Sequence, residues 1–277
     1  MIQFTWDIHY KCNYACPYCW FDGKWDEIKC NNIYPGTAKL LSYWENIHKR
    51  YGPVHIEIAG GEPTIYPDFA GFVGELTKMH DIGVTSNIAG DIEGFLTLEK
   101  KFNIGMSFHP LFIKYEDFIK RALMLKNSGF GNTVLYLAYP IPEVIDRIPE
   151  YKKLFGEQGF LFTVLSFWGK YKGLDYPQNY SEAQKKILFP AIGVRGESNQ
   201  KYQLDPVVTR GKPCNAGHTY ALVHPNGDAY RCGGGNWKDQ HQPFCNLFTD
   251  SFRLLEKPEP CESEHCPCNE WSFLLVK

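Results

Sequence analysis

Three cysteines stand within eight positions near the start of the chain, in the stretch "HYKCNYACPYCWF". Cys12, Cys16 and Cys19 are separated by three and then two residues, which brings three thiols into one short loop. Four kinds of chemistry use thiols in this way: a zinc site, a disulfide framework, a catalytic thiol and an iron–sulfur cluster. Each implies a different class of protein, so the remaining residues have to discriminate between them.

The composition of the 277 residues favours metal ligation over disulfides. The stretch "MIQFTWDIHY" has no basic region followed by an apolar one, so no secretory signal is predicted and the expected location is cytoplasmic. Thiols stay reduced there, and ten cysteines are then more typical of metal ligands or catalytic groups. The net charge of −2, without a basic stripe or a long apolar run, gives no support to nucleic-acid binding or membrane insertion.

A single zinc ion fits the three cysteines poorly, because it needs a fourth ligand. His9 and Cys30 are candidates for that position, but the spacing fixes neither. A cluster of four irons differs, since three thiolates hold three corners and leave one iron open to an outside ligand. The spacing also departs from the ferredoxin run C-x2-C-x2-C-x3-C, which closes every corner. The pattern therefore favours an iron–sulfur cluster with one open iron.

The residues that could do chemistry follow the ends of predicted strands. Short β-rich runs alternate with helical patterns in about six βα units, one helix being predicted over "VIDRIPEYKKLFGEQG". The cysteine loop follows the strand "IQFTWDI", and the motif "EIAGGEP" ends the strand "VHIEIAG". Such units predict parallel strands with helices outside. The predicted fold class is α/β, a partial (β/α)6 barrel of TIM type with a small C-terminal metal-cluster domain.

At these residues the sequence resembles the radical S-adenosylmethionine (SAM) enzymes. Cys12-x3-Cys16-x2-Cys19, with Tyr18 before the third cysteine, looks like their cysteine signature and follows the first strand as in that family. The resemblance implies a [4Fe–4S] cluster on the three cysteines and S-adenosyl-L-methionine as a second cofactor, with Tyr18 at the cofactor site.

The turn Gly60-Gly61-Glu62-Pro63 strengthens this resemblance. In the family, the corresponding turn hydrogen-bonds the amino group of the methionine moiety. An ammonium group needs acceptors, and two glycines let backbone carbonyls approach it closely. Glu62 would add negative charge. The alternative is a turn that only ends the strand.

Later strand ends carry further polar residues of this kind. The resemblance implies that Ser86 and Asn87 lie near the ribose of SAM, and that Ser107 is a ribose or carboxylate contact. His109 stands where relatives often carry an acid. It is a candidate catalytic base toward the substrate, with an electrostatic contact or a hydrogen-bonded structural residue as the alternatives.

The resemblance also implies a radical mechanism. A reduced cluster passes one electron to the sulfonium of SAM, the C5′–S bond breaks, and a 5′-deoxyadenosyl radical abstracts a hydrogen atom from a substrate in the barrel mouth. An external donor such as flavodoxin or ferredoxin would supply the electron. The task of the protein is then to position the substrate and to exclude water and wrong partners.

The last quarter of the chain holds a second group of cysteines. Cys214-x12-Gly227-x4-Cys232 resembles the opening of the SPASM and Twitch extensions, in which a hairpin carries two ligands of an auxiliary cluster. The tail "CESEHCPCNEW" offers three more thiols: Cys261, Cys266 and Cys268. The resemblance implies a second [4Fe–4S] cluster of the shorter Twitch form, held by the first two cysteines and two of the three in the tail.

Two other cysteines stand outside this ligand set. Cys245 is expected not to be a ligand, and Cys30 is expected to be a buried apolar residue. The alternative for the tail is a structural zinc knuckle that uses His265 or cysteines alone.

The expected domain organisation follows the change in pattern along the chain. The partial barrel is expected at residues 1–175, where the βα units repeat. Residues 176–209 are polar, with scattered Gly and Pro, and are expected to be a linker. The Twitch-like domain is expected at 210–277, where metal binding would supply the folding energy that apolar periodicity does not.

Three functions fit this sequence. The first is an oxidoreductase for a small molecule, in which a base takes a proton and the auxiliary cluster accepts an electron. The second is a peptide-modifying enzyme that forms crosslinks or epimerises residues, although the chain begins at the barrel strand, which counts against a fused leader-binding domain. The third is a zinc-stabilised α/β binding protein, in which the GGEP turn has no role.

Overall fold

The architecture is that of a computed structural model, which describes residues 1–19, 21, 28–192, 201, 203–233, 242–266 and 274–276. The strands of its first part are β1 (Gln3–Asp7), β2 (His55–Ala59), β3 (Asp81–Ser86), β4 (Asn103–Ser107), β5 (Thr133–Ala138) and β6 (Leu161–Ser166). The helices are α1 (Thr37–Tyr51), α2 (Phe69–Leu76), α3 (Glu93–Leu96), α4 (Tyr115–Asn127), α5 (Pro142–Ile145), α6 (Ile148–Glu157) and α7 (Glu182–Leu188).

The six strands form one parallel sheet in chain order, from β1 to β6. At least one helix lies between each strand and the next. Because all six strands run in the same direction, their carboxyl ends meet at one edge, where the loops after the strands come together. This is the repeated βα arrangement that the sequence pattern predicts.

Helix α1 shows how the pattern places a helix on this sheet. Leu40, Trp44 and Ile47 are buried and recur at three- and four-residue spacing, so they form one apolar face. The helix ends at Gly52, whose φ of 73° lies in the left-handed region that favours glycine. The amphipathic pattern and this stop signal together account for the bounds of the helix.

Aromatic side chains dominate the layer between the sheet and its helices. The ring of Trp6 in β1 lies 5.3 Å from that of Trp44 in α1 and 5.7 Å from that of Phe72 in α2, measured between centroids. Because side chains alternate along a strand, Thr5 and Asp7 face the opposite side of β1, toward the barrel interior. The interior of the barrel is therefore more polar than the layer outside it.

The buried carboxyl of Asp7 makes the stability of this fold depend on pH. Burial raises the pKa of Asp7 from 3.8 to about 7, so the folded chain binds this proton more tightly than the unfolded chain. Stability that is present below about pH 4 is then lost as the pH rises through 7. We expect Asp7→Asn to raise the free energy of unfolding at pH 8 by roughly 2–4 kcal/mol and at pH 5 by less than half as much.

Urea denaturation at the two pH values measures this difference. The control is Asp117→Asn, which alters a carboxyl whose side chain is 61% exposed. Equal shifts of the Asp7→Asn protein at pH 5 and pH 8 would contradict the prediction.

The helix predicted over "VIDRIPEYKKLFGEQG" is interrupted in the structure. Helix α5 ends at Ile145, and α6 begins at Ile148 with Pro149 in its first turn. Proline has no N–H to donate to the carbonyl four residues earlier, which here belongs to Ile145, and its ring crowds that carbonyl. The prediction of a single helix was wrong here. It followed the helical spacing of the apolar residues and gave too little weight to Pro149.

The C-terminal part of the chain extends the barrel sheet. Its short strands are β7 (Gly169–Tyr171), β8 (Leu174–Tyr176), β9 (Pro213–Cys214), β10 (Tyr220–Val223), β11 (Asp228–Tyr230), β12 (Cys245–Asn246) and β13 (Glu259–Pro260). Strand β10 runs parallel to β1, and β11 and β12 follow it antiparallel. The predicted hairpin at Gly227 is present, with a φ of 85° at that glycine. The boundaries at 175 and 210 stay a prediction.

In the described part of the chain, no helix is long and apolar enough to cross a membrane.

Candidate active site

A cavity of about 240 Å³ lies at the carboxyl ends of the parallel strands. Most of the residues that the sequence singles out line it together: Cys12, Cys16, Tyr18, Cys19, Gly60, Gly61, Glu62, Ser86, Asn87, Ser107 and His109. Pro63 is buried and begins the short 3-10 turn Pro63–Ile65, which follows the glycine turn. The strand ends thus bring residues that are distant in the chain into one site.

The three thiols of this cavity are close together and largely shielded from water. Burial, and then the neighbouring thiol of Cys19, raise the pKa of Cys16 to about 12. The backbone N–H of Tyr14 donates to Cys12 Sγ over 3.4 Å. Thiols in this environment disfavour the anionic form unless a cation binds them. The donor set fits an iron–sulfur cluster, whose irons would hold the sulfurs as thiolates.

Among the residues that the structure describes, no three His, Cys, Asp or Glu side chains are placed to hold a metal ion as they stand. Of the two candidate fourth ligands, His9 is fully buried, and its Nε2 donates to the carbonyl of Glu62 over 2.8 Å. Cys30 is exposed in the 3-10 turn Lys29–Asn31, so its prediction as a buried apolar residue was wrong. Neither residue lines the cavity of the three cysteines.

The two glycines of the GGEP turn pack against the backbone that leads into the cysteine loop. A Cβ atom at Gly60 would lie 2.3 Å from the carbonyl oxygen of His9, and one at Gly61 would lie 2.1 Å from that of Lys11. The N–H groups of Gly61 and Glu62 donate to these same carbonyls over 2.7 and 2.9 Å. The turn therefore fixes the start of the cysteine loop, and its interaction with a methionine amino group stays a prediction.

The carboxylate of Glu62 ties the end of β2 to the end of β3. Glu62 Oε1 accepts hydrogen bonds from the N–H and hydroxyl of Thr64 and from the hydroxyl of Ser86, at 2.5–2.9 Å. Its Oε2 accepts from the N–H of Asn87 over 2.7 Å. Burial raises the pKa of Glu62 and these donors oppose that rise. The negative charge expected of Glu62 is thus directed at the protein's own donors.

Replacement of Glu62 tests this bracing role. In Glu62→Gln, an NH2 group must face either Asn87 N–H or the donors of Thr64 and Ser86, so at least one buried donor loses its acceptor. We expect the free energy of unfolding to fall by about 1–3 kcal/mol, measured by urea denaturation. The exposed Glu75→Gln is the control and should change it by less than about 0.5 kcal/mol. Equal stability of the two variants would show that the four bonds do not brace the fold.

Two residues that the sequence did not single out position the strand ends. Asn13, inside the cysteine motif, accepts from Asn87 Nδ2 over 2.8 Å, which joins the cysteine loop to β3. Arg121 of α4 donates from Nε to the carbonyl of Ile88 over 2.5 Å and from its other arm to that of Gly90. The position of Asn13 inside the cysteine motif could have indicated its role from the sequence. Nothing in the sequence indicated the role of Arg121, because its partners are backbone carbonyls far along the chain.

His109 is uncharged at neutral pH in this cavity. Its burial lowers the pKa to about 4. The hydroxyl of Tyr18 lies 3.1 Å from His109 Nδ1, within hydrogen-bond distance, and the two rings stack with centroids 5.6 Å apart. A neutral imidazole with one nitrogen engaged keeps the other for a ligand. Its role as a base toward the substrate stays a prediction, and its low pKa makes it a weak one.

A second cavity, of about 230 Å³, collects cysteines of the C-terminal part. Cys214, Cys232 and Cys261 line it, together with Arg231 and Glu262. Burial, and then the neighbouring thiols of Cys261 and Cys266, raise the pKa of Cys214. The structure thus brings four of the five predicted auxiliary ligands near one another.

The remaining residues of this group are placed differently. Cys268 lies outside the described residues. Cys245 does not line the second cavity, and burial raises its pKa to about 12. His265, the alternative zinc ligand, has Nδ1 3.0 Å from the carbonyl of Val207. The identity of an auxiliary ligand set therefore stays a prediction.

The cysteine loop, the glycine turn and the end of β3 also carry a family match. Residues 6–104 match the model of the Radical SAM superfamily. This part of the chain belongs to the radical SAM superfamily. Membership in this superfamily implies a [4Fe–4S] cluster and SAM, and it confirms the resemblance drawn from the cysteine and GGEP motifs.

Curated relatives of this radical SAM protein share its sequence at low identity. Mycofactocin maturase MftC of Mycobacterium ulcerans (strain Agy99) is 24% identical over 263 residues, which is 83% of this chain and 68% of that protein. The protein of the same name from Mycobacterium tuberculosis (strain ATCC 25618 / H37Rv) is 23% identical over 263 residues, 83% of this chain and 64% of that protein. The chain spans about two-thirds of the length of these relatives.

Solved structures with the same fold include two proteins with S-adenosylmethionine bound. Streptococcus suis SuiB bound to S-adenosylmethionine matches with a TM-score of 0.60 at 14% identity, covering 89% of this chain and 63% of SuiB. The protein anSMEcpe, with bound AdoMet and the Cp18Cys peptide, matches with a TM-score of 0.62 at 17% identity, covering 89% and 77%. These likenesses confirm the predicted α/β fold of partial-barrel type.

Proposed function

We propose that this radical SAM protein removes a hydrogen atom from a peptide substrate held at the mouth of the barrel. The observation that carries the proposal is that the three thiols, the glycine turn and the polar ends of β3 and β4 line one cavity. Cys12, Cys16 and Cys19 would hold a cluster that, once reduced and with SAM bound, would supply a 5′-deoxyadenosyl radical, a species that reacts with most C–H bonds. The selection of one hydrogen therefore depends on how the protein positions its substrate.

Different residues of the cavity would hold the cluster, contact SAM and exclude water. Cys12, Cys16 and Cys19 would hold the cluster in the buried loop that the glycine turn fixes. Ser107 and Asn87 present polar groups at the strand ends, where the nucleoside of SAM would lie. The aromatic rings of Tyr14, Tyr18 and Tyr136 form much of the remaining wall and exclude water from the reacting centre.

The peptide is favoured over a small molecule by the relatives. The curated relatives are named mycofactocin maturases. SuiB has been solved bound to the precursor peptide SuiA, at a TM-score of 0.62 and 15% identity to this chain, and anSMEcpe with a peptide. The rim of the cavity is also apolar: Tyr14 stacks on Phe112 with ring centroids 5.2 Å apart, and Phe112 is 39% exposed. Such a rim suits the side chains that flank a modified residue.

The second cavity extends the proposal. We infer a second [4Fe–4S] cluster on Cys214, Cys232 and two of the tail cysteines, which would accept an electron left on the substrate. Arg231, whose side chain is 15% exposed, lines the same cavity and would offset the negative charge of the thiolates. A flavodoxin or ferredoxin is the expected electron donor for the first cluster, and the cytoplasm is the expected location of the reaction.

The experiment has two stages. The protein is reconstituted anaerobically, its iron and sulfide are counted, and SAM and dithionite are added. We expect release of 5′-deoxyadenosine, with about four irons per chain for one cluster and about eight for two. A loaded protein that releases no 5′-deoxyadenosine would contradict radical chemistry.

The second stage identifies the class of substrate. An extract of the source cells, grown on deuterated amino acids, is added before and after digestion with a protease. Deuterium that enters 5′-deoxyadenosine only from the undigested extract supports a peptide. Deuterium that still enters after digestion would favour the small-molecule oxidoreductase instead.

A further inference from the structure

A line of polar side chains runs through the barrel beneath the cysteine cavity. Ile56 and Ile58 of β2 are fully buried in the core, so Glu57 between them faces the barrel interior. Thr85 of β3 lines the cavity, and its hydroxyl donates to Glu57 Oε1 over 2.7 Å. Because its hydrogen is engaged with Glu57, Thr85 Oγ1 presents acceptor capacity to a molecule in the cavity.

The line continues to the opposite end of the barrel. His55 has Nε2 3.7 Å from Glu57 Oε2 and Nδ1 2.7 Å from Asp81 Oδ2. The carboxylate of Glu57 is the largest cause that raises the pKa of His55, and Asp81 adds to it. The side chain of Glu57 is 35% exposed, that of His55 27% and that of Asp81 68%, so solvent access along the line is greatest at Asp81, at the amino ends of the strands.

The neighbouring strand leaves room for the Glu57 carboxylate. Gly83 of β3 is paired directly with Glu57 of β2. A Cβ atom at Gly83 would lie 2.0 Å from Glu57 Oε2. A larger residue at this position would displace the Glu57 carboxylate from its present place beside β3.

The other titratable groups of the described cavity lining are poor proton acceptors. Glu62 is bound by four donors of the protein. His109 is hydrogen-bonded to Tyr18 and has a pKa of about 4. The cysteines are the expected cluster ligands. Glu57, reached through Thr85, is the carboxylate that also has a path to solvent.

We propose that Thr85, Glu57, His55 and Asp81 form a proton relay, which removes a proton from the substrate after hydrogen-atom abstraction. This proposal rests on the proposed function. An O–H or N–H bond of the substrate radical breaks, and its proton passes to Thr85 Oγ1. The Thr85 hydroxyl gives its own proton to Glu57 Oε1. The electron pair of the broken bond stays on the substrate, so this step needs no oxidant.

The far end of the relay returns the proton to water. His55 gives the proton on Nδ1 to Asp81, and Nε2 takes up the one that Glu57 received. The gap of 3.7 Å between Nε2 and Glu57 Oε2 exceeds a hydrogen bond, so the carboxylate turns toward the imidazole for this transfer. Asp81 then exchanges with solvent.

The first test needs no substrate. The pKa of the His55 ring is measured by NMR in the reconstituted wild-type protein, in Glu57→Gln and in the exposed control Glu75→Gln. We expect a lower pKa in Glu57→Gln alone, because the carboxylate that favours the cation is gone. An unchanged His55 pKa in Glu57→Gln would overturn the relay.

The second test uses turnover with the labelled extract, normalised to iron content. We expect Glu57→Gln to reduce the rate about 100-fold, as loss of a proton acceptor does, and Glu75→Gln to match the wild type. In Glu57→Ala, added formate should restore part of the rate, which a purely structural defect would not allow. Turnover of Glu57→Gln equal to wild type, or no effect of formate, would overturn the relay. Absence of label transfer in the wild type would instead contradict the proposed function, and the relay would fall with it.

Discussion

Replacement of Cys12, Cys16 or Cys19 by alanine is expected to abolish the release of 5′-deoxyadenosine from SAM. Three thiolates are the minimum that holds a four-iron cluster while leaving one iron open. Loss of one leaves the remaining two thiols in a buried environment that disfavours their charged form. The measurement is the iron content and the 5′-deoxyadenosine formed after anaerobic reconstitution of each single variant.

Cys30→Ala is the matched control for these three variants. Cys30 is close to them in sequence, but it is exposed and does not line the cavity. We expect it to retain both the iron content and the cleavage of SAM. Cleavage by the Cys16→Ala protein, or its loss in Cys30→Ala, would contradict the assignment of the three cysteines to the cluster.

The architecture of the barrel follows from patterns that are visible in the sequence. Strands such as Thr133–Ala138 alternate buried and half-buried residues, and α1 carries its apolar face at helical spacing. The βα order then makes the strands parallel, and parallel strands bring their carboxyl ends to one edge. The cysteines, the glycine turn and the polar strand ends meet in one cavity for this reason, and the resemblance to radical SAM enzymes, read onto the predicted strand ends, was enough to predict it.

The pairings between distant segments could not be predicted in the same way. Nothing in "TYALV" indicates that Tyr220–Val223 lies beside β1, because the match depends on which sheet edge is free. Likewise, the place of the Glu57 carboxylate is next to Gly83, its partner on the next strand, and only the register of β2 and β3 shows this. A single Glu in one apolar strand and a single Gly in another can be interpreted only when the register of the two strands is known.

The motif residues also have roles that their resemblance alone does not indicate. Glu62 was expected to add negative charge at the cofactor site, and in the structure its carboxylate also binds the donors of Thr64, Ser86 and Asn87. A spacing pattern states which residues recur at a site, but it does not state which atom faces the ligand. The bracing of β2 against β3 by Glu62 holds the walls of the cavity at a fixed separation.

Gly61→Ala is expected to reduce SAM cleavage more than 100-fold. The added Cβ would lie 2.1 Å from the carbonyl oxygen of Lys11 and 2.8 Å from the carbonyl carbon of Tyr10, so the backbone before Cys12 has to move. A displacement of about 1 Å at a reacting centre is enough for a loss of about 100-fold, and lower iron content would add to it. The measurements are iron content, SAM affinity and 5′-deoxyadenosine release.

The control for this variant is Gly156→Ala in helix α6. No atom lies within 4 Å of a Cβ built at Gly156, and alanine is favoured over glycine in a helix by about 1 kcal/mol. We expect that protein to bind iron and cleave SAM like the wild type, with equal or higher thermal stability. If Gly61→Ala behaves like Gly156→Ala, the close contact between the glycine turn and the cysteine loop does not position the cluster. If only Gly61→Ala fails, the turn is the element that sets the geometry of the cysteine loop.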